Sequence, residues 1–166
     1  MFPKFNIGKS GEEYVKYLLE HVGFKCELNN NYELRYDYDL TVNMNGRKFT
    51  IEVKFDIFSR KSNNWAIEIY NCKSKCPSGI YSTLADVWVH LIPDKNTDHI
   101  LAYAISVEKL KHFIENSTPC KKIIAGGDAN ANLLLYKREE IENKFIRFDL
   151  LKEPKLLESI FLEMVD

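Results

Sequence analysis

Apolar and polar side chains alternate strictly through KFTIEVKFD, residues 48–56. Successive side chains of a β-strand point to opposite faces, so this segment predicts one amphipathic strand. Its apolar face carries Ile51, Val53 and Phe55. Its polar face carries Glu52, Lys54 and Asp56. We expect the apolar face in the core, and the polar face is either a wetted surface or a site of chemistry.

A helical period precedes this strand in SGEEYVKYLLEHVGF, residues 10–24. One stripe of the predicted helix is apolar and consists of Tyr14, Val15, Leu18, Leu19 and Val22. Ser10 and Glu13 have the spacing of a capping box, and Gly23 is typical of a helix C-terminus. The pattern therefore predicts an amphipathic helix that begins after a Ser10 cap and stops at Gly23.

A hairpin is predicted between the helix and the alternating segment. YDYDLTV, residues 36–42, has a strand pattern with Asp37, Asp39 and Thr41 on one face. NMNG supplies the turn, because Asn-Gly is a strong hairpin signal, and KFTIEVKFD is the returning strand. WAIEIY, residues 65–70, is expected as a third strand after the basic loop SRKSNN.

The second half of the chain predicts further strands and helices. VWVHLIP and ILAYAIS are continuous apolar runs that suit buried strands. VEKLKHFIEN and KREEIENKF have helical patterns, LLLY between them is a short strand, and a last helix is expected after Pro154. The order of these elements predicts an α/β fold with a mixed central β-sheet flanked by α-helices.

Length and composition favour one folded domain over residues 1–166, with 45% hydrophobic and 28% charged residues. No apolar run reaches the roughly 18 residues of a membrane span, and the N-terminus lacks the apolar core of a signal peptide. We therefore expect a cytoplasmic protein without a membrane partner. The four cysteines are expected as reduced thiols, and no second pair of ligands completes a zinc site with Cys72 and Cys76.

Positive charge is concentrated in one part of a chain whose net charge is −1. Residues 35–75 hold eight lysines and arginines against five aspartates and glutamates. A surface that binds phosphate groups is expected around this part of the chain. The candidates for contacts with nucleic-acid phosphates are Arg60, Lys61, Asn64, Lys73 and Lys75.

Two carboxylates and an amine are expected to meet on the polar face of the hairpin. Glu52 and Lys54 share that face, and Asp39 becomes a near cross-strand neighbour if the hairpin closes at the Asn-Gly turn. Like charges placed opposite each other are destabilising unless something holds them, and oxygen ligands suit hard divalent cations. These three side chains therefore indicate metal-dependent chemistry on phosphodiesters. The alternative is a solvent-exposed hairpin face without a catalytic role.

Asp39, followed thirteen residues later by Glu52-Val53-Lys54, resembles the D-x(n)-E-x-K core of the PD-(D/E)XK nuclease superfamily. The upstream helix is similar to the first helix of that fold, and the spacing particularly resembles archaeal Holliday-junction resolvases. NWAIEI and PSGIYSTLAD look like segments of small phage and bacterial nucleases. The similar part runs from about Gly8 to Pro93. Tyr38 replaces the usual Pro before the aspartate, and Asp37 is the alternative first aspartate.

The resemblance implies a restriction-endonuclease-like core of the αβββαβ type in residues 8–115, with strand and helix additions in 116–166. It implies a Mg²⁺-dependent endonuclease that hydrolyses DNA, with Mn²⁺ as a substitute, specific for DNA structure or associated with phages or mobile elements. Asp39, Glu52 and the Val53 carbonyl would bind metal, and Lys54 would orient or help deprotonate the attacking water. Resolution of a junction would require a homodimer.

Several assignments stay open on the sequence alone. Glu12 lies on the flank of the apolar stripe, whereas Glu13 points away from it, and the resemblance gives Glu12 a role at the site. Glu68 is either an auxiliary residue or an exposed strand residue, and Asp56 has no assigned role. A non-cleaving protein that binds nucleic acid with a nuclease-like fold, and a nuclease acting on RNA, are the alternative functions.

Overall fold

The computed structural model describes residues 10–31, 33, 37–125, 130–149 and 153–165. Within these ranges the helices are α1 (Ser10–His21), α2 (Ser59–Ser62), α3 (Val107–Glu115), α4 (Arg138–Ile141) and α5 (Pro154–Val165). The strands are β1 (Lys25–Leu28), β2 (Leu40–Met44), β3 (Arg47–Phe55), β4 (Asn64–Asn71), β5 (Cys76–Pro77), β6 (Val87–Pro93), β7 (Ile100–Ser106), β8 (Lys121–Ala125), β9 (Ala131–Lys137) and β10 (Ile146–Arg147). None of these helices is both long and apolar enough to cross a bilayer.

The main sheet has six strands in the order β1-β2-β3-β6-β7-β10. β3 and β6 are parallel, and the other neighbours are antiparallel. The predicted mixed sheet of an α/β fold is confirmed. α1, the β1–β3 meander and the parallel strand β6 follow one another as in an αβββ core. The connection from β3 to β6, however, contains α2, β4 and β5 instead of a long helix.

A second sheet, antiparallel and ordered β5-β4-β9-β8, replaces part of the expected helical cover. The segment WAIEIY, predicted as a third strand of one sheet, lies in this second sheet as β4. Trp65 and Ile67 are fully buried, and β4 pairs with β9 rather than β3. Local alternation predicts a strand but does not identify its partner, because pairing depends on contacts far along the chain.

Each face of the main sheet therefore has its own core. On one face the sheet packs against α1 and α5, through a cluster that includes Val15, Leu19, Ile51, Leu157 and Phe161. On the other face it packs against the second sheet and α3, through a cluster that includes Trp65, Trp88, Leu110, Leu134 and Tyr136. Since Glu52 and Lys54 share the second face with a buried cluster, the polar side of β3 is not an open wet surface.

Helix α1 confirms the predicted apolar stripe and its glycine stop. Gly23 has a φ of +102°, its N–H donates to the Glu20 carbonyl at 3.0 Å, and the Phe24 N–H donates to the Leu19 carbonyl at 3.1 Å. These two bonds form a Schellman motif. The prediction of Ser10 as a cap before the helix is wrong, since Ser10 is its first residue and its hydroxyl is buried.

Four short strands were not predicted, namely β1, β5, β8 and β10. They have two to five residues each, too few for a clear alternating pattern, and they lie at sheet edges. The strand predicted over residues 36–42 begins only at Leu40, while Tyr36 lies outside the described residues. Half of the predicted loop AGGDANAN also lies outside them, at residues 126–129.

Candidate active site at the end of the β2–β3 hairpin

The β2–β3 hairpin brings Asp39 to the middle of β3. Asn45 and Gly46 form its turn with φ values of +50° and +90°, as a type I′ turn requires. The antiparallel register places Leu40 opposite Ile51, so Asp39 lies immediately beyond the last paired residue of β2. The Asp39 side chain can therefore reach the part of β3 that β2 no longer covers.

Asp39 holds the Val53 backbone with its carboxylate. Its Oδ2 accepts a hydrogen bond from the Val53 N–H at 2.7 Å, and its own N–H donates to the Ile51 carbonyl at 2.9 Å. Burial raises the pKa of Asp39, the Val53 N–H acts against this, and the negative charge of Glu12 raises the pKa further. The charged form of Asp39 is therefore held at a net electrostatic cost.

Glu52 is a buried carboxylate, with 8% of the residue exposed. Its Oε1 lies 3.0 Å from the Lys54 Nζ, and its Oε2 accepts a hydrogen bond from the Thr83 Oγ1 at 3.3 Å. Burial raises the pKa of Glu52, and the charge of Asp39 adds to that rise despite the opposing effect of Lys54. The two carboxylates are thus close enough to influence each other's protonation.

Lys54 places its amine between carboxylates while 36% of its side chain stays exposed. Loss of hydration favours the neutral amine, but Glu52, Asp39 and Glu68 outweigh it and raise the pKa of Lys54. The Nζ also lies 5.9 Å from the centre of the Trp88 ring. Lys54 is therefore a protonated amine next to Glu52, with access to solvent.

The first turn of α1 lies directly against β3. A Cβ on Gly11 would stand 3.5 Å from Val53 Cγ1 and 3.4 Å from Phe55 Cβ, so the helix backbone approaches the strand closely at this point. The neighbouring Glu12 is half-buried and acts electrostatically on Asp39, whereas Glu13 is exposed. The structure thus distinguishes the two glutamates in the way that the helical geometry predicts.

Asp37 and Asp39, the two candidates for the first aspartate, have different surroundings. The charge of Asp39 affects the pKa values of both Glu52 and Lys54. Asp37 contributes its backbone carbonyl, which accepts hydrogen bonds from the Thr83 hydroxyl at 3.0 Å and the Leu84 N–H at 2.8 Å. The geometry therefore favours Asp39 as the acid of the site and gives Asp37 a part in its scaffold.

Asp56, which the sequence left without a role, organises the connection from β3 to β4. Its carboxylate accepts hydrogen bonds from the Ser59 N–H at 3.1 Å and the Ala66 N–H at 2.9 Å, and its Oδ2 lies 3.6 Å from the His90 Nε2. Burial acts to raise the pKa of Asp56, but His90 and the two N–H groups outweigh it and lower the pKa. Asp56 therefore supports the fold next to the site.

The proposed phosphate-binding residues lie at both ends of β4. Arg60 and Lys61 are exposed on α2, before the strand, and Lys73 and Lys75 are exposed in the turn after it. At about 3.3 Å per residue, seven steps from one end of β4 to the other separate the two pairs by roughly 23 Å. Glu68, whose charge raises the pKa of Lys54, lies between these ends. The two basic pairs therefore flank the site instead of lining it.

Asn64, the remaining residue of that set, is half-buried at the start of β4. Its Oδ1 lies 4.0 Å from the Cys120 Sγ, and its backbone pairs with Lys137 of β9. Trp65 and Trp88 are both fully buried in the core. Neither indole is therefore available for stacking on a base.

Thr83 is a site residue that the sequence did not single out. It lies in PSGIYSTLAD, a segment noted for its resemblance to small nucleases, but no spacing motif connects it with Glu52, 31 residues earlier. The buried hydroxyl of Thr83 contacts Glu52 only because the segment folds back over β3. The resemblance of the segment was the one available signal.

The donor chemistry of the site fits a small divalent cation. Asp39 and Glu52 crowd negative charge near Lys54, Glu12 adds negative charge near Asp39, and burial disfavours the charge on Asp39 and Glu52. Within the described residues, no group of three or more His, Cys, Asp or Glu side chains forms a ready cage for a metal. Mg²⁺ commonly uses one or two carboxylates together with waters and substrate phosphates, so two carboxylates are sufficient for it.

Comparison with solved structures identifies a similarity to a bacterial homing endonuclease, I-Ssp6803I. The TM-score is 0.46 at 17% sequence identity, and the alignment covers 61% of this chain and 68% of that chain. No protein-family model matches the sequence, and no curated protein matches it. The functional assignment therefore depends on the side chains of the site.

Proposed function

We propose that the protein is a Mg²⁺-dependent endonuclease of the PD-(D/E)XK type that hydrolyses phosphodiester bonds of DNA. The observation that carries the proposal is the meeting of Asp39, Glu52 and Lys54 at the open end of the β2–β3 hairpin, where Glu52 Oε1 is 3.0 Å from Lys54 Nζ. Buried carboxylates whose charge is disfavoured, beside a partly exposed amine, are typical of a catalytic site.

Asp39, Glu52 and the backbone carbonyl of Val53 would hold the cation. A bound Mg²⁺ supplies a more acidic water and stabilises charge on the phosphate oxygens. Glu12 is close enough to act on Asp39 and would support a second cation or the orientation of Lys54. Mn²⁺ offers the same preference for oxygen ligands and would substitute for Mg²⁺.

Lys54 would orient the attacking water through its N–H donors and offset negative charge that develops on the scissile phosphate. Its raised pKa favours this role as a cation over a role as the resting general base. The exposed part of its side chain allows contact with the substrate. The basic residues at the two ends of β4 would hold the phosphate backbone on either side of the scissile bond.

Replacement of Lys54 tests the chemistry. Lys54→Ala should lower the rate of Mg²⁺-dependent plasmid cleavage by about 100-fold or more, since it removes a charge and hydrogen-bond donor at the reacting phosphate. The fold and most of the affinity for DNA should persist. Nicking of supercoiled plasmid gives the rate, circular dichroism checks the fold, and fluorescence anisotropy with labelled duplex in Ca²⁺ gives the affinity.

Lys155→Ala is the matched control, because it removes an exposed lysine from α5, outside the proposed DNA-binding residues, and should preserve the rate of cleavage. Full activity of Lys54→Ala would contradict the assignment of the site.

A cleavage panel of linear duplex, single strand, flap, four-way junction and RNA would define the substrate of the wild-type protein. A preference for the junction together with a dimeric mass would support a resolvase.

A further inference from the structure

The segment Ser78–Asp86 runs beside the site on its way from β5 to β6, and its start is fastened to β4. The Ser78 N–H donates to the Ile69 carbonyl at 3.2 Å, and the Ser78 hydroxyl donates to Glu68 Oε1 at 2.6 Å. Gly79 follows with a φ of +56°, and a Cβ there would lie 2.3 Å from the Glu68 carbonyl oxygen. The start of the segment thus closely approaches the strand that carries Glu68.

The end of the same segment is fastened to β3. The Asp86 N–H donates to the Thr50 carbonyl at 3.0 Å, and Asp86 Oδ2 accepts from the Thr50 N–H at 2.7 Å and hydroxyl at 2.9 Å. Thr50 is two residues before Glu52 on the same strand. Both ends of the segment are therefore held to strands whose glutamates raise the pKa of Lys54.

Thr83 lies inside this segment with only 3% of its surface exposed. Its Oγ1 is 3.0 Å from the Asp37 carbonyl oxygen and 3.3 Å from Glu52 Oε2, and it accepts a hydrogen bond from the Ala85 N–H at 3.2 Å. A hydroxyl has one proton, so the two oxygen acceptors share it. Thr83 thereby joins the turn before Asp39 to the carboxylate of Glu52.

We infer that Thr83 is a positioning residue for Glu52, an inference that rests on the proposed function. Lys54 holds one oxygen of the Glu52 carboxylate and Thr83 holds the other, so two donors fix the plane of the carboxylate. Because Thr83 is buried, it acts through Glu52 and not through the substrate. Groups that hydrogen-bond to metal ligands in this way set ligand orientation and cation affinity.

Calorimetric titration of the metal-free protein with Mn²⁺ tests this inference without depending on cleavage. Thr83→Val keeps the shape of the side chain without its hydroxyl, Thr83→Ala removes both methyl and hydroxyl, and Thr83→Ser keeps the hydroxyl. Thr83→Val and Thr83→Ala should weaken Mn²⁺ binding about 10-fold or more, while Thr83→Ser should remain close to the wild type.

Kinetics provide a second readout with a control next to it in the chain. Thr83→Val should lower kcat and leave the KM for DNA unchanged, because a buried group does not touch the substrate. Ser82→Ala removes an exposed hydroxyl whose hydrogen bond is to the Gly79 carbonyl, and it should change neither Mn²⁺ affinity nor kcat. Thermal unfolding in EDTA identifies any variant that fails to fold.

The results separate this inference from the proposed function. A wild-type protein that neither binds Mn²⁺ nor cleaves DNA would overturn both. A wild-type protein that does both, with folded Thr83→Val or Thr83→Ala equal to it in Mn²⁺ affinity, would overturn the inference alone. If Thr83→Val fails to fold, the comparison of Thr83→Ala with Thr83→Ser decides, and equal weakening in those two would assign Thr83 to packing only.

Discussion

At the scale of single residues, the site holds negative charge where the fold disfavours it. Burial raises the pKa values of Asp39 and Glu52, and neighbouring carboxylates raise them further. A protein that only needed a stable hairpin would gain from neutral residues at these positions. The arrangement is a local cost to stability of the kind expected where a cation and a phosphate are to be bound.

Asp39→Asn should make the metal-free protein more stable at neutral pH while it abolishes Mg²⁺-dependent cleavage. The amide oxygen can still accept the Val53 N–H, and the disfavoured charge is gone. Thermal unfolding in EDTA and plasmid nicking in Mg²⁺ measure the two effects.

Asp37→Asn is the control, because Asp37 contacts Thr83 and Leu84 through its backbone carbonyl, which the substitution keeps. It should leave both stability and cleavage near those of the wild type. Loss of cleavage in Asp37→Asn with activity retained in Asp39→Asn would reverse the choice between the two aspartates.

At the scale of secondary-structure elements, the connection between β3 and β4 depends on one buried carboxylate. Asp56 satisfies N–H groups from α2 and β4 and lies beside His90 of β6, so it joins three elements. One edge of β4 pairs with β9. On the other edge the Asp56 carboxylate accepts the Ala66 N–H, as a neighbouring strand would. The same connection carries Arg60 and Lys61, so its geometry also places the basic residues.

Asp56→Ala should lower the free energy of unfolding by about 2–4 kcal/mol at neutral pH, because two N–H groups lose their acceptor. The folded-state pKa of Asp56 is lowered, so its stabilisation is complete above its unfolded-state value near pH 4 and is lost as the pH falls through the folded-state value. Urea unfolding at several pH values should show the gap between variant and wild type narrowing below about pH 4.

The exposed Asp98 provides the control for that experiment, and Asp98→Ala should unfold like the wild type across the range. A loss of stability for Asp56→Ala that stays constant down to the lowest pH would show that packing, and not the charged acceptor, is responsible.

At the scale of the whole molecule, the second sheet partly encloses the polar face of the hairpin, which would otherwise be exposed to solvent. β4 brings Glu68 to Lys54, and the segment that follows brings Thr83 to Glu52. The same strand separates the two basic pairs by roughly 23 Å, about the length of seven base pairs of duplex. A duplex that lies along β4 would therefore meet basic residues on both sides of the site.

Paired substitutions test that path. Arg60→Ala with Lys61→Ala, and Lys73→Ala with Lys75→Ala, should each weaken DNA binding and reduce the slope of log affinity against log salt by about 2, near 0.9 for each lost phosphate contact. Anisotropy titrations at several salt concentrations give the slopes. Lys109→Ala with Lys111→Ala, on α3, is a matched control.

An unchanged slope for one of the two tested pairs would place the duplex across one end of β4. Unchanged slopes for both would remove these residues from the proposed DNA-binding surface.

Local patterns in the chain were sufficient to predict α1 and the β2–β3 hairpin with its Asn-Gly turn. They also predicted that Glu52 and Lys54 lie on one face of β3. Each of these follows from side-chain periodicity or turn preference within a few residues. The spacing from Asp39 to Glu52 belongs to the same class, because a closed hairpin converts sequence distance into a cross-strand neighbour.

The burial of Glu52, its contact with Thr83, and the role of Asp56 arise only from the packing of the second sheet and the Ser78–Asp86 segment on β3. These contacts join residues 10 to 36 positions apart, and no periodic pattern connects such positions. Periodicity describes which face a side chain takes, whereas its neighbours on that face depend on strand pairing and long-range packing. For this reason the chain alone indicated the acids of the site, and the assembled fold showed what holds them.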